Sequence, residues 1–263
     1  MKTIYQVALL QSLAQGYFDG VISIGELKSH GDTGIGTFDR LNGELIMLNG
    51  TAYKALADGG IVIAPDDETV PFSNVTFFKE DCNLPLSGIS DMTALREKLN
   101  AFVNENSSNF FYMVKIAGKF ASIKVRSEHE QKRPYRQLDV ALAADQVEYD
   151  YSNITGTLVG LYCPNYMGGL NSTGWHFHFI SEDLTRGGHV LTVSIEEASA
   201  SVDAVPGFTL EVPTTTEFQV MDLSRNMDEE IHRAETATSV PRMNNKRSIK
   251  EEDPNECNIF NDR

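Results

Sequence analysis

Residues 174–193 read GWHFHFISEDLTRGGHVLTV, and the alternation within them decides both a fold class and a chemistry. In an extended strand successive side chains leave opposite faces, so His176 and His178 share one face while Trp175, Phe177 and Phe179 share the other. The aromatic face has the composition of a sheet face buried in a core. After the polar SEDLTR comes a Gly187-Gly188 turn and a second branched run, His189 to Val193, which folds back antiparallel and brings His189 beside His178. Neighbouring strands lie about 5 Å apart, which suits three imidazole nitrogens converging on one ion at the roughly 2.0–2.1 Å of zinc–nitrogen bonds.

A lone histidine in a strand is ordinarily a satisfied core or surface residue. Here three of the chain's six histidines fall between positions 176 and 189, two at strand spacing and the third at a hairpin return, so the expectation is a metal site. Three ligands leave such a metal open to substrate. The spacing by itself fits a carbonic anhydrase type of zinc, a zinc hydrolase, a cupin-like iron site or a structural ion. A structural ion needs a fourth protein ligand, and only Glu182 and Asp183 in the loop lie near in sequence.

Working outward, short runs rich in branched and aromatic residues predict further strands: ELIMLN (44–49), IVIAP (61–65), VTFFK (75–79), FFYMVKI (110–116), FASIKVR (120–126), TLVGLYC (157–163) and FTLEV (208–212). Asn42-Gly43, Asn49-Gly50 and Asp58-Gly59 punctuate a tightly wound antiparallel meander. Helical spacing of Val7, Leu10 and Leu13 predicts a helix over 5–16, and Asp91 introduces a second in which Leu95, Leu99 and Phe102 share a face. The fold class is therefore α/β of the α+β type, strand-rich and two-lobed, with mixed β-sheets. Residues 1–150 are expected to form an N-terminal mixed-sheet lobe with two helices. Residues 151–235 are expected to form a second lobe, an open barrel-like sheet carrying the metal hairpin, with the boundary in the charged stretch 127–151. Residues 236–263 lose all apolar periodicity and are expected to be a disordered tail.

The bulk numbers exclude several function classes. Thirty-seven acidic against 22 basic residues give a formal charge of −15, a field that repels phosphate backbones and anionic headgroups, so neither nucleic acid nor membrane is an expected partner. The same field repels an anionic substrate, which would need a local cation, metal or arginine, in a cleft. Cys82, Cys163 and Cys257 are odd in number and widely spaced, which argues against a disulfide framework. The N-terminus has Gln, Gln and Asp where a signal peptide is apolar, so a cytoplasmic location is expected, with a trimmed leader left open. Gly31 to Thr37, GDTGIGT, lacks the Lys-Ser/Thr of a phosphate-binding loop and reads as a tight turn placing Thr37. Arg126 in FASIKVR reads equally as a surface ion-pairing residue and as a substrate clamp.

Four segments together resemble the acetolactate decarboxylase family: IYQVALLQSLAQGYFDG, GELKSHGDTGIGTFDRLNGELIMLNG, PFSNVTFF and GWHFHFISEDLTRGGHV. The resemblance runs from about residue 4 to 235. It implies a catalytic Zn2+ on His176, His178 and His189, an active-site Thr37 and Glu44 from GIGTF and LNGE, and an arginine at Arg126 from VRS. A glutamate returning from near the chain end falls at Glu235, with Glu251, Glu252 and Glu256 as competitors in the tail. A homodimer is implied as well. The implied reaction takes acetolactate to acetoin and CO2, with an open zinc chelating the adjacent hydroxyl and ketone and stabilising the enediolate left by CO2. Glu44 or Glu235, held protonated by burial, would return a proton to carbon, and a zinc hydrolase using the same histidines is the alternative.

Overall fold

The computed structural model describes residues 1–235; the expected disordered tail, with Cys257 and the three competing glutamates, lies outside the described residues. The N-terminal run corrects the sequence reading. Instead of one helix over 5–16 it divides into β1 (Thr3–Val7) and a short α1 (Leu10–Ala14), with Ala8 at φ 56° turning the chain between them. Ile4, Tyr5, Gln6 and Val7 are all buried because both faces of β1 are covered, Tyr5 and Val7 packing into one core and Ile4 into another. Burial on both faces removes the polar alternation that would have marked a strand, and tertiary packing overrides the helical spacing.

The next elements are β2 (Ile22–Ser23), α2 (Ile24–Lys28), β3 (Thr33–Thr37), β4 (Glu44–Leu48), β5 (Thr51–Ala55), β6 (Ile61–Ile63), β7 (Thr69–Val70) and β8 (Phe72–Thr76). The meander is as read: β3, β4, β5 and β6 pair antiparallel in succession. Asn49 and Gly50 both have positive φ, 50° and 79°, the conformation a two-residue hairpin with right-twisted strands demands. The GDTGIGT stretch is not a turn, because Thr33 to Thr37 is strand β3 itself, paired on both sides.

The chain then runs through β9 (Cys82–Ile89), α3 (Met92–Asn106), β10 (Phe111–Glu128), α4 (Leu138–Asp145), β11 (Gln146–Cys163), β12 (Gly174–Ser181), β13 (Gly187–Val205), β14 (Gly207–Glu211), α5 (Thr216–Gln219) and α6 (Asp228–Glu235). Helix α3 starts where Asp91 marks it: the carboxylate accepts from the Ala94 amide at 2.9 Å, and Leu95, Leu99, Phe102 and Val103 form its buried stripe. The runs FFYMVKI and FASIKVR, read as two strands, are one strand of 18 residues. Pairing on both sides carries β10 through Ala117-Gly118-Lys119, with register shifts against β13 at Lys119 and Phe120.

Two main sheets result. One has seven strands in the order β14-β1-β8-β3-β4-β5-β6, mixed because β14 runs parallel to β1. The other has five in the order β10-β11-β12-β13-β9, and β10 also pairs with β13, so four strands close into a barrel-like ring. The sheets do not divide the chain at residue 150. β9 and β10 belong with β12 and β13, β14 returns to the N-terminal sheet, and the charged stretch 127–151 joins two neighbouring strands. Ile35, Ile46 and Ala55 of the seven-stranded sheet pack with Met113, Val159, Leu161 and Ile180 of the five-stranded one. On the far side of β12, Trp175, Phe177 and Phe179 share a core with Leu95, Leu99 and Phe102 of α3. The hairpin strand is thereby sandwiched, and its histidine face looks toward the other sheet. Among the described residues no helix is long and apolar enough to cross a membrane.

Candidate metal centre

The register of β12 against β13 sets His178 directly opposite His189, as the alternation requires, while β10 sets Arg126 opposite His189 on its other edge. His178, His189 and Arg126 therefore form a row across three strands, with His176 two residues along on the same face. His176 Nε2 lies 2.9 Å from His189 Nδ1 and 3.2 Å from His178 Nε2. Ligand nitrogens on a tetrahedral zinc stand about 3.3 Å apart, so the cluster has the right size for one ion. Gly187 and Gly188, read as the hairpin turn, lie instead within β13 opposite Ile180 and Phe179, and residues 182–186 make the connection. Gly188 is required by close approach: a Cβ there would meet the Arg126 carbonyl oxygen at 2.4 Å, and its φ is 145°.

Protonation and hydrogen bonding also fit a metal. Burial pushes His176 down to about 3, and it holds His178 and His189 well below the usual imidazole range, so all three rings are neutral at physiological pH. His178 Nδ1 donates to the Leu45 carbonyl at 2.8 Å, which fixes the tautomer and leaves Nε2 as a lone-pair donor. The buried His189 Nε2 has no hydrogen-bond partner among the described residues. Glu182 and Asp183 are exposed in the loop, and the candidate ligand group among the described residues consists of the three histidines alone.

The remaining sequence-derived residues come to the same place from different elements. Thr37 and Glu44 are register partners on β3 and β4, and Glu44 Oε2 stands 3.5 Å from His178 Nε2. Thr37 donates its hydroxyl proton to the Gly43 carbonyl at 3.0 Å, so toward the site it presents lone pairs. Glu235, the last residue of α6, puts Oε2 3.5 Å from His176 Nδ1. Arg126 is buried at the end of β10. A cavity of about 40 Å3 joins these side chains to all three imidazoles, walled by Leu10, Leu13, Phe72 and Leu138. Burial, reinforced by the charge of a neighbouring glutamate, holds the Glu44 carboxyl well above the usual range. Burial likewise raises Glu235, against the opposing charges of Arg126 and Arg96.

That neighbouring glutamate, Glu128, escaped the sequence reading. It sits two residues beyond Arg126 on the same face of β10, is buried, and has Oε1 3.4 Å from Arg126 Nε. The signal was the period-2 relation between the two; the misleading feature was the charged SEHEQKR run, which has the composition of a solvated loop. Also unforeseen is a second cavity of about 350 Å3, reaching His176, His189 and Glu235 and bounded by Trp175 and α3.

Comparison with known proteins agrees with this geometry. A family model described as alpha-acetolactate decarboxylase matches residues 4–225. The alpha-acetolactate decarboxylase of Methanosarcina mazei is 38% identical, over 88% of this chain and 80% of its own length. The crystal structure of the Bacillus subtilis strain 168 enzyme superimposes with a TM-score of 0.86 at 30% identity, covering 89% of this chain and 100% of that one. A Staphylococcus aureus protein described as similar to alpha-acetolactate decarboxylase gives 0.82 at 31% identity, over 88% and 99% of the two chains. The agreement spans the sheets that build the three-histidine cluster, and the chain belongs to the alpha-acetolactate decarboxylase family.

Proposed function

We propose that this enzyme uses Zn2+ on His176, His178 and His189 to decarboxylate (S)-2-acetolactate to (R)-acetoin and CO2. The observation that carries the reading is the convergence of three neutral imidazoles, His178 and His189 buried and His176 partly so, whose ligand nitrogens lie within 4.8 Å of one another. An all-nitrogen, three-ligand set of this kind suits zinc, and bound there the ion would supply Lewis acidity to the neighbouring hydroxyl and ketone oxygens of the substrate.

The chain's own groups divide the rest. Arg126 orients the carboxylate that leaves; its planar, permanently charged fork matches a carboxylate, and Glu128 stands beside it with Oε1 3.4 Å from Nε. Thr37, with its proton committed to Gly43, accepts from the substrate hydroxyl and fixes which face of the carbon skeleton is presented. Glu44 and Glu235 are the carboxyls in reach of that carbon, and burial raises both, which favours the protonated form that can deliver a proton to it. Leu10, Leu13, Phe72 and Leu138 exclude water that would otherwise protonate either face. A cytoplasmic homodimer completes the reading.

The test is metal analysis combined with an assay on racemic acetolactate that scores the chirality of the acetoin formed. One zinc per chain, CO2 release lost on chelation and restored by zinc, and a single acetoin enantiomer are expected. Full-rate CO2 release from metal-stripped protein would contradict the proposal, as would hydrolysis of an ester or amide in place of decarboxylation.

A further inference from the structure

Arg96, in the second turn of α3, takes part in none of the roles above. Its guanidinium has one hydrogen-bond acceptor among the described residues, the Trp175 carbonyl at a long 3.4 Å from Nη2, and its Nε is shielded from solvent with no partner. A guanidinium N–H shut off from water with no acceptor is costly unless a ligand meets it, and Arg96 Nε is in that position. Arg96 lines the cavity of about 350 Å3, together with the ionisable groups His176, His189, Asp228, His232 and Glu235. It is the permanent cation of that lining.

The size of the two cavities makes this position consequential. The deep space of about 40 Å3, lined by Arg126, Thr37 and Glu44, is the smaller of the two, whereas the outer one of about 350 Å3 accommodates a whole small hydroxy-keto acid and reaches two of the three imidazoles. An anion approaching a chain of formal charge −15 meets repulsion until it comes within reach of a local cation. We propose that the larger cavity is an anion-receiving vestibule in which Arg96 binds the carboxylate of the incoming substrate before it passes to Arg126. Arg96 is thus a specificity-determining residue for small carboxylates. The inference rests on the acetolactate reading for the identity of the substrate, though not for the presence of an anion site.

Trp175, the chain's one tryptophan, lines the same cavity and reports on its contents. The experiment uses the metal-loaded wild type, Arg96→Met and Arg96→Lys, each checked for native circular dichroism. Fluorescence titrations with 2-hydroxy-2-methylpropanoate and with its neutral amide are set beside steady-state kinetics on acetolactate. In Arg96→Met the carboxylate's Kd and the KM for acetolactate should each rise about tenfold or more, with kcat falling by less than about threefold. Amide binding should not change, and Arg96→Lys should recover most of the lost affinity. The proposal is overturned if the Met variant binds the carboxylate as tightly as wild type, or if the Lys and Met variants are alike. A fall in kcat at unchanged KM would also overturn it, making Arg96 a prop for Glu235. A wild type that discriminates carboxylate from amide through Arg96 yet releases no CO2 from acetolactate would sink the decarboxylase reading and leave the anion site standing.

Discussion

Substitution of Gly188 by alanine tests whether the site is built by close approach of β13 to β10. The residue has φ 145°, outside the regions open to an L side chain, which costs about 1–3 kcal/mol. The added Cβ would stand 2.4 Å from the Arg126 carbonyl oxygen and 3.3 Å from Val125 Cβ, so about 1 Å of overlap must be relieved by parting the strands. Neither neighbour is the end of a flexible side chain, and the overlap adds about 1–3 kcal/mol more. The expected loss is about 2–6 kcal/mol, a large part of the roughly 5–15 kcal/mol by which a domain is stable. Denaturant unfolding followed by Trp175 fluorescence measures it, and metal content measured in parallel should drop because Arg126 and His189 are moved apart. Gly50→Ala is the control: φ is 79° but nothing lies within 4 Å of the added Cβ, so only the conformational cost of about 1–2 kcal/mol applies and the metal stays bound. A loss under about 1 kcal/mol in Gly188→Ala with full metal content would refute the reasoning.

Three further outcomes follow from the site. In metal-free protein His178→Ala should cost about 1 kcal/mol more than His189→Ala by urea unfolding, because only His178 gives up a hydrogen bond to Leu45; equal losses would count against that tether. His176 has its folded pKa pushed down to about 3, so between there and the unfolded value of 6.5 the unfolded chain binds the extra proton and stability is lost as the pH is lowered. The margin of metal-free wild type over His176→Gln should therefore shrink by about 2 kcal/mol from pH 6.5 to 5, read from denaturation curves at each pH; a constant margin would place that ring in water. Glu44→Gln should keep its metal and lose at least about 100-fold in kcat if Glu44 delivers the proton, whereas the same result from Glu235→Gln alone would move that role to α6.

Much of this was legible in the sequence where the interactions are local. The alternation in GWHFHFI fixed which side chains share a face, the Asn-Gly pairs marked the meander, and Asp91 marked the start of α3. What escaped reading depends on distant partners. β1 looks helical because a strand buried on both faces has no polar alternation to display. β10 looks like two strands because its continuity is imposed by β11 and β13. Glu128 and Arg96 look like ordinary surface charges because nothing local distinguishes a carboxylate or guanidinium lining a cavity from one in water. The Gly187-Gly188 pair reads as a turn although it lies within a strand, since tight turns and close strand contacts select the same residue. The quoted segments brought in the acetolactate decarboxylase resemblance that composition and spacing alone would not have supplied.

The imidazoles hang from one sheet, while Thr37 and Glu44 hang from the other. On the proposed reading, with Glu44 as the proton donor, grip on the ion and delivery of the proton are therefore separately adjustable. A slip of about 1 Å between the sheets can change turnover by as much as 100-fold while leaving the ligand cage as it was. Substitutions at Ile35, Ile46, Val159 or Leu161, which pack between the two sheets, are thus expected to shift the rate while leaving the three-histidine cluster in place. The Leu45 carbonyl, pinned by His178, is the peg that limits how far such a slip can go.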